Sequence, residues 1–292
     1  MLFKGSITAV VTPFKKGAVD HKALGALVDW QISEGTSGLV VNGTTGESPT
    51  LTPAEQDANV KTVVAAAAGR VPVIAGVGTN DTARTVENAR RVSKLGVSGL
   101  LVVTPYYNKP VQEGLYQHFA AVAKAVKTPM VVYNIPGRAG VALTADTMVR
   151  LLKFKNIVAI KDASGDLKFA QELRIKAGPR LAILSGEDML NLPLASIGAC
   201  GCISVVANVA PKMMSQMWLA IFEGDFAQAA GLHLELFCLH RDLFMETNPI
   251  PVKAALAMMG KIGAELRLPL TALPGDKAAK LKESLKRCGC LK

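Results

Sequence analysis

The sequence contains few residues of the types that bind transition metals. It has only four histidines and five cysteines in 292 residues, and the histidines form neither an H-x3-H pair nor an H-E-x-x-H motif. The cysteine pairs Cys200/Cys202 and Cys288/Cys290 are C-x-C, whereas zinc sites usually combine C-x2-C pairs with distant partners. We therefore expect no structural or catalytic metal, and the sequence assigns no role to Cys288 and Cys290.

Long apolar runs are also lacking. None approaches the roughly 20 residues that a helix needs to cross a bilayer, and Lys4 and Gly5 interrupt the apolar N-terminal stretch too early for a signal peptide. Half of the residues are hydrophobic and 19% are charged, which excludes a chain that is disordered throughout. These features predict a cytosolic protein without a membrane partner.

Aromatic residues make up only 5% of the chain, although the net charge of +10 suggests a nucleic-acid partner. The main basic cluster runs from Lys277 to Arg287, with Leu281 and Leu285 at helical spacing. No aromatic side chains alternate with these cations to stack on bases. We interpret the cluster as the solvated face of a helix and expect no nucleic-acid binding. A non-enzymatic, basic binding protein is kept as a remote alternative.

Short apolar runs recur along the chain, and amphipathic segments separate them. Strands that alternate with helices predict βα units and a parallel sheet. Eight such units within about 225 residues favour a (β/α)8 TIM barrel. The predicted strands are Ser6–Val11, Gly38–Val41, Val73–Gly76, Gly99–Val103, Met130–Tyr133, Ile157–Ile160, Leu181–Leu184 and Gly201–Val206. The helical segments include His21–Ser33, Ala54–Ala68, Thr82–Leu95, Gly114–Ala125 and Asp166–Lys176.

A repeated glycine pair agrees with these boundaries. Two glycines separated by two residues precede the second, fourth and eighth runs, at Gly35/Gly38, Gly96/Gly99 and Gly198/Gly201. Such pairs are typical of a helix C-terminus followed by a tight turn into a buried strand. A doubly wound sheet is the second candidate, but no G-x-G-x-x-G motif follows the first run.

The tail differs from the rest of the chain because the strand pattern ends near Asp225. We expect residues 1–224 to form the catalytic barrel and residues 225–292 a C-terminal helical appendage. The predicted helices of the tail are Phe226–Leu243, Pro251–Met259 and Asp276–Arg287, with Asn248–Pro251 as a rigid connector.

Lys161 lies at the end of the sixth apolar run. The C-terminal strand ends of α/β enzymes carry the chemistry, and desolvation there lowers the pKa of an ammonium group and frees its lone pair. Such a lysine can attack a carbonyl and form an imine. The simpler interpretation is that Lys161 marks the point where the strand meets water.

Other chemically useful residues follow neighbouring strands. The loop Gly43–Glu47 can direct N–H groups and hydroxyls toward a carboxylate, or it can be an ordinary turn before the capping box at Thr52. Tyr107 and Tyr133 can transfer protons in a dry site or simply pack. Arg138, in a loop expected to be flexible, can clamp a second carboxylate or be a surface charge. After strand seven, Glu187-Asp188 disfavours a phosphate site.

Taken together, these motifs resemble those of the dihydrodipicolinate synthase (4-hydroxy-tetrahydrodipicolinate synthase) family, over essentially the whole chain. That family belongs to the pyruvate-dependent class I aldolases and lyases, which are built on (β/α)8 barrels. The matching motifs are Gly43-Thr-Thr-Gly-Glu47, Thr104-Pro-Tyr-Tyr-Asn108, Tyr133-Asn-Ile-Pro-Gly-Arg138, Ile160-Lys161 and Asn248-Pro-Ile-Pro-Val-Lys253.

The resemblance implies a role for each matching residue in the condensation of pyruvate with L-aspartate semialdehyde, a step of diaminopimelate and lysine biosynthesis. Lys161 would hold pyruvate as a Schiff base, and no metal or organic cofactor would be needed because the imine nitrogen is the electron sink. Tyr133 would relay protons, linked through Thr44 to Tyr107 of a neighbouring subunit. Thr45 would bind the carboxylate of pyruvate, and Arg138 the carboxylate of the aldehyde. Gly186 and Ile203 would contribute backbone contacts.

Sister enzymes keep the lysine and the tyrosine but act on other aldehydes. N-acetylneuraminate lyases usually have serine in place of Thr44 and lack the arginine at position 138. The presence of Thr44 and Arg138 favours the synthase, with a 2-keto-3-deoxy sugar acid aldolase or N-acetylneuraminate lyase as the alternative. The resemblance also implies a homotetramer, a dimer of dimers in which Tyr107 completes the partner's site.

Residues of the family's feedback site for lysine match only in part. Ser48, Asn80 and Tyr106 fit the lysine-responsive pattern. Responsive members usually have histidines where this chain has Pro53 and Gln56, and a glutamate where it has Arg84. The last substitution places a cation against the ammonium of the ligand, so we expect weak or absent inhibition by lysine.

Overall fold

A computed structural model describes residues 2–291 of the chain. Within this range, eight parallel strands form a closed barrel: β1 (Gly5–Ala9), β4 (Gly38–Val41), β5 (Val73–Gly76), β6 (Gly99–Val103), β7 (Met130–Asn134), β8 (Ile157–Asp162), β9 (Ala182–Ser185) and β10 (Gly201–Ser204). Their order around the barrel is β1-β10-β9-β8-β7-β6-β5-β4, and β1 pairs with β4 to complete the ring. The predicted TIM barrel is confirmed, and every predicted strand end lies within two residues of the observed one.

A small antiparallel hairpin, which the sequence analysis did not predict, lies between β1 and the first helix. It pairs β2 (Phe14–Lys15) with β3 (Ala18–Val19). The helices between the barrel strands and after the last one are α1 (His21–Ser33), α2 (Pro53–Ala67), α3 (Thr82–Val92), α4 (Gln112–Ala125), α5 (Pro136–Ala139), α6 (Ala145–Leu151), α7 (Leu167–Ala177), α8 (Asn191–Ser196) and α9 (Pro211–Glu223).

The helix boundaries follow from local signals that the sequence contains. At the start of α2, the Thr52 side chain accepts the Glu55 N–H and the Glu55 carboxylate accepts the Thr52 N–H, which confirms the capping box. The first glycines of the repeated pairs, Gly35, Gly96 and Gly198, all have φ between 82° and 94°. This left-handed conformation is favourable for glycine, and the chain there turns directly into the next strand.

The hydrophobic core has two parts, as expected for a parallel barrel whose strands are covered on both faces. Inside the barrel, side chains such as Ile7, Val40, Ile74 and Val131 are fully buried against each other. Between the strands and the surrounding helices, a larger cluster includes residues of every barrel helix except α5, and of the C-terminal segment. Tyr133 belongs to the inner cluster, so it faces the barrel axis, where the strand ends converge.

Helices make up the regular structure of the C-terminal segment, as predicted. They are α10 (Phe226–Glu235), α11 (Phe237–Asp242), α12 (Ile250–Met258) and α13 (Gly275–Arg287). The single helix predicted over 226–243 is wrong, because the chain tightens at Leu236, whose carbonyl accepts the N–H of Leu239 in an i→i+3 bond. The boundary between residues 224 and 225 stays a prediction; the turn between α9 and α10 lies there. Among the helices of residues 2–291, none has the length and apolarity required to cross a membrane.

Candidate active site

Lys161 lies within β8, directly beside Tyr133 on β7 in the strand register. The strand continues to Asp162, so Lys161 is held by the sheet on both sides and is only 6% exposed. Its Nζ lies 4.2 Å from the centroid of the Tyr133 ring. Among residues 2–291, no carboxylate oxygen lies within 4.0 Å of this Nζ. The amine therefore contacts an aromatic ring and forms no ion pair within the described residues.

A cavity of about 1120 Å³ opens at the carboxyl ends of β4 to β7. It brings together two groups of residues that the sequence analysis treated separately. From the predicted catalytic and substrate-binding group the lining contains Thr44, Tyr107, Tyr133 and Arg138. From the predicted feedback group it contains Ser48, Arg84 and Tyr106. Lys161, Thr45, Asn80, Gly186 and Ile203 lie outside this lining. The carbonyl of Asn80 accepts a hydrogen bond from the Asn108 side chain.

The loop from Gly43 to Glu47 presents free backbone donors. The N–H groups of Gly46 and Glu47 bond within the loop, to the carbonyls of Gly43 and Thr44. No acceptor within residues 2–291 takes the N–H groups of Thr44 and Thr45. Backbone N–H groups are rarely left without a partner when they are buried. A small anion beside this loop would supply the missing acceptors.

Asn248 connects this loop to Arg138, a role that sequence analysis missed. The Asn248 side chain donates to the Thr45 hydroxyl at 3.0 Å, and the backbone carbonyl of Asn248 accepts from Arg138 Nη2 at 3.1 Å. Its Oδ1 is buried and has no partner among the described residues, which leaves a free acceptor beside two candidate substrate-binding residues. Asn248 was recognised only as part of a motif, because its contact with Thr45 spans 203 residues of sequence.

A buried ion pair holds the loop Gly43–Glu47 at its last residue, Glu47. Lys253 on α12 donates to Glu47 Oε1 at 2.6 Å, and the two side chains are 0% and 1% exposed. Burial lowers the pKa of Lys253 and the Glu47 carboxylate opposes that shift. Glu47 itself adopts φ 54°, a conformation unfavourable for a residue with a side chain. The Arg267 N–H also donates to Glu47 Oε2, so the loop is fastened to the C-terminal segment.

Gly186 lies close to Lys161, and Ile203 belongs to the inner core of the barrel. A Cβ at position 186 would lie 3.0 Å from Lys161 Cε and 2.8 Å from Ala163 Cβ, so only glycine allows the backbone to come this close. The Gly186 N–H donates to the Asp162 carbonyl at 2.7 Å. Ile203 is buried in the inner cluster of the barrel.

The two acidic residues after β9 have different environments. Asp188 is buried, and its carboxylate accepts the N–H groups of Val205 and Val206, both at 2.9 Å. These are donors of the kind that bind phosphate after the last barrel strand, and Asp188 already occupies them. Glu187 is half-buried; burial raises its pKa, Asp188 raises it further, and Lys161 opposes the shift.

Tyr107 and Arg138 differ from what a loop pattern suggests. Tyr107 has φ 73° and is 86% exposed. Its ring therefore has almost no packing partner within the chain. The expected flexible loop around Arg138 is instead the short helix α5, which has Pro136 at its first position and ends at Gly140 with φ 72°. No hydrogen bond within residues 2–291 joins the hydroxyls of Thr44, Tyr107 and Tyr133.

A sequence profile of the Dihydrodipicolinate synthetase family matches residues 2–288. The chain belongs to that family. The 4-hydroxy-tetrahydrodipicolinate synthase of Trichlorobacter lovleyi is 49% identical over 285 residues, which cover 98% of each chain. The dihydrodipicolinate synthase of Acinetobacter baumannii, solved as its chloride-inhibited form with pyruvate, is 46% identical with a TM-score of 0.97 and 99% coverage of both chains. A monomeric dihydrodipicolinate synthase variant is 43% identical, with a TM-score of 0.98 and coverage of 99% of this chain and 98% of that one.

Proposed function

We propose that this protein condenses pyruvate with L-aspartate semialdehyde to give 4-hydroxy-tetrahydrodipicolinate, in diaminopimelate and lysine biosynthesis. It is a lyase of the Schiff-base class. Family membership over residues 2–288 supports the substrates. The single observation that carries the mechanism is Lys161, a nearly buried lysine against the Tyr133 ring without a carboxylate partner.

The first chemical step is attack of the neutral Lys161 amine on the keto carbon of pyruvate. The resulting carbinolamine loses water to form the imine, and each of these steps moves a proton. Tyr133 is the proton carrier adjacent to Nζ. We assign Thr44 and a Tyr107 from a neighbouring subunit to the relay that connects Tyr133 to the outside. The exposed ring of Tyr107 supports this assignment, because a partner chain would supply the packing that is missing here.

Two carboxylates must be bound for the condensation to proceed. We assign the carboxylate of pyruvate to the Thr45 hydroxyl and to the free N–H groups of Thr44 and Thr45. The carboxylate of the aldehyde belongs to Arg138, whose guanidinium can donate two parallel hydrogen bonds. The backbones of Gly186 and Ile203 complete the pocket near Lys161. The protonated imine accepts the electron pair when the adjacent carbon loses a proton. The enamine then adds to the aldehyde, and cyclisation releases Lys161.

The quaternary structure is part of the proposal. A homotetramer arranged as a dimer of dimers places Tyr107 of one subunit at the site of the next. The cytoplasm stays the predicted compartment.

The decisive experiment is intact-mass analysis after borohydride treatment in the presence of pyruvate, followed by peptide mapping. One reduced pyruvyl adduct on Lys161 is expected, with none in Lys161→Met. Lys168→Met, the same change at an exposed lysine away from the site, serves as the control and should keep the adduct. An adduct elsewhere, or none on folded protein, would refute the mechanism.

A second assay identifies the aldehyde. Consumption of L-aspartate semialdehyde that depends on pyruvate and on Lys161 is the expected result. If the adduct forms but a 2-keto-3-deoxy sugar acid or N-acetylneuraminate is cleaved instead, the alternative sister activity is correct and the synthase assignment is wrong.

A further inference from the structure

Three cysteines that the proposed reaction does not use meet at the C-terminal edge of the molecule. Cys238 lies in the first turn of α11, and Cys288 is the residue that ends α13. Their sulfur atoms are 3.1 Å apart, and both residues are buried, at 7% and 6% exposure. Cys290 follows two residues later and is partly exposed. All three are free thiols in this structure.

The two helices are positioned by contacts that do not involve a sulfur–sulfur bond. The Ser284 hydroxyl on α13 donates to Asp242 Oδ2 on α11 at 2.5 Å. Each thiol also has a backbone carbonyl nearby: Cys288 Sγ lies 3.4 Å from the Glu235 oxygen, and Cys238 Sγ lies 3.8 Å from the Ser284 oxygen. A disulfide bond is about 2.05 Å long, so the two sulfurs, now 3.1 Å apart, need to approach by about 1 Å.

We propose that Cys238 and Cys288 are a disulfide-forming pair that reversibly ties α13 to α11. The oxidant is a small-molecule disulfide such as oxidised glutathione. One cysteine thiolate attacks it and releases one reduced thiol, and the second thiolate attacks the mixed disulfide and releases the other. Two protein thiols and one small-molecule disulfide thus become one protein disulfide and two small-molecule thiols. This inference does not depend on the proposed reaction at Lys161.

Burial disfavours the thiolate of Cys288 while the end of α13 stays closed. It raises the pKa of Cys288 above its usual range and that of Cys290 to about 11, and the thiolate is the reactive form. Cys288 and Cys290 both lie just beyond the last turn of α13, on either side of Gly289 with φ 67°. A helix end frays at low cost in free energy, and fraying would bring Cys288 into water. Cytosolic disulfides of this kind are usually transient and responsive to redox conditions.

The bond would close a loop that contains two supports of the candidate active site. Asn248, which contacts Thr45, and Lys253, which pairs with Glu47, both lie between Cys238 and Cys288. A crosslink restricts the unfolded chain, and more so for a long loop. We expect the oxidised protein to unfold about 5–10 °C higher than the reduced protein, with unchanged activity at ordinary temperature because neither cysteine lies at the site.

The test incubates the full-length protein with oxidised glutathione, just below the onset of thermal unfolding, and then alkylates the remaining thiols in denaturant. The expected product is lighter by two hydrogen atoms, has two fewer alkylated thiols, and gives a peptide that joins Cys238 to Cys288. Cys238→Ser and Cys288→Ser should lose both this peptide and the rise in unfolding temperature. Cys290→Ser is the matched control and should keep both.

Each other outcome counts against the proposal. A stable glutathione adduct on Cys290, a bond between Cys288 and Cys290, or full alkylation of all thiols after prolonged oxidation would each overturn it. If one serine variant does not fold, the crosslinked peptide of the unmodified sequence still decides the question. A crosslink without any rise in unfolding temperature would leave the bond in place but refute its stabilising role.

Discussion

Two buried lysines of this protein have different local partners. Lys161 and Lys253 each place Nζ 4.2 Å from the centroid of an aromatic ring, Tyr133 for the first and Phe14 for the second. Lys253 also donates to Glu47 at 2.6 Å, whereas Lys161 forms no ion pair within 4.0 Å among residues 2–291. An ammonium paired with a carboxylate is fixed in place, whereas a lysine without such a pair is free to react with a ligand. The carboxylate thus distinguishes a structural lysine from a candidate nucleophile.

The same substitution at both lysines tests this comparison, and the larger effect is expected at Lys161. Lys161→Met removes the amine but keeps a similar apolar stem. We expect kcat to fall at least about a thousand-fold because the imine cannot form. The free energy of unfolding, measured in urea, should not decrease, since no ion pair is broken. A variant that keeps activity within about tenfold of the unmodified protein would show that Lys161 is not the nucleophile.

Lys253→Met, in contrast, should lower the free energy of unfolding. It leaves the Glu47 carboxylate buried without its cation, which costs about 3–5 kcal/mol of stability. The double variant Glu47→Leu/Lys253→Met should regain part of this loss, because no charge is then left unpaired. Urea unfolding of the two single variants and the double variant measures the coupling. Equal stability of all four proteins would mean that the buried pair does not hold the loop.

Tyr133→Phe separates the ring from the hydroxyl. The ring still lies against Lys161, so the fold and the binding of pyruvate should persist. Without a proton carrier we expect kcat to fall about 100- to 1000-fold, and borohydride trapping should become slow but still reach Lys161. An unchanged rate of trapping and turnover would remove Tyr133 from the mechanism.

Arg138→Leu affects the outer part of the site and should have a smaller effect. We expect KM for L-aspartate semialdehyde to rise about 10- to 100-fold, because charge-assisted hydrogen bonds contribute about 1.5–3 kcal/mol. Pyruvate trapping should stay unchanged, since Arg138 lines the cavity whereas Lys161 lies outside its lining. A rise in KM for pyruvate alone would show that Arg138 binds the carboxylate of pyruvate and not that of the aldehyde.

The smallest effect is expected from added lysine. Ser48, Tyr106 and Arg84 line the same cavity as Tyr133, but the Arg84 cation would repel the ligand's ammonium group. We expect the rate of L-aspartate semialdehyde consumption to fall to half only above about 1 mM lysine. Arg84→Glu should lower this concentration. Half-inhibition of the unmodified protein below 1 mM would contradict the prediction.

Local patterns were sufficient to predict the barrel and to place Lys161 near the C-terminal end of one of its strands. The apolar run that ends at Lys161 predicted a buried strand, and parallel strands bring their carboxyl ends to one rim. The glycine pairs located three of the turns. Contacts across the chain could not be predicted in this way. The α5 turn also escaped prediction, because proline and glycine fit both a loop and a one-turn helix.

The sequence by itself determined the alternation of strands and helices, the absence of a membrane-length run, and the identity of the residues at the strand ends. Each of these depends on neighbours within a few residues, where periodicity and turn chemistry act. Only the tertiary structure decided that Glu47 pairs with Lys253, 206 positions away, that Asp188 occupies the N–H groups after β10, and that Lys161 has no such partner. Whether a buried charge is paired depends on packing between distant segments, and packing is a property of the whole fold.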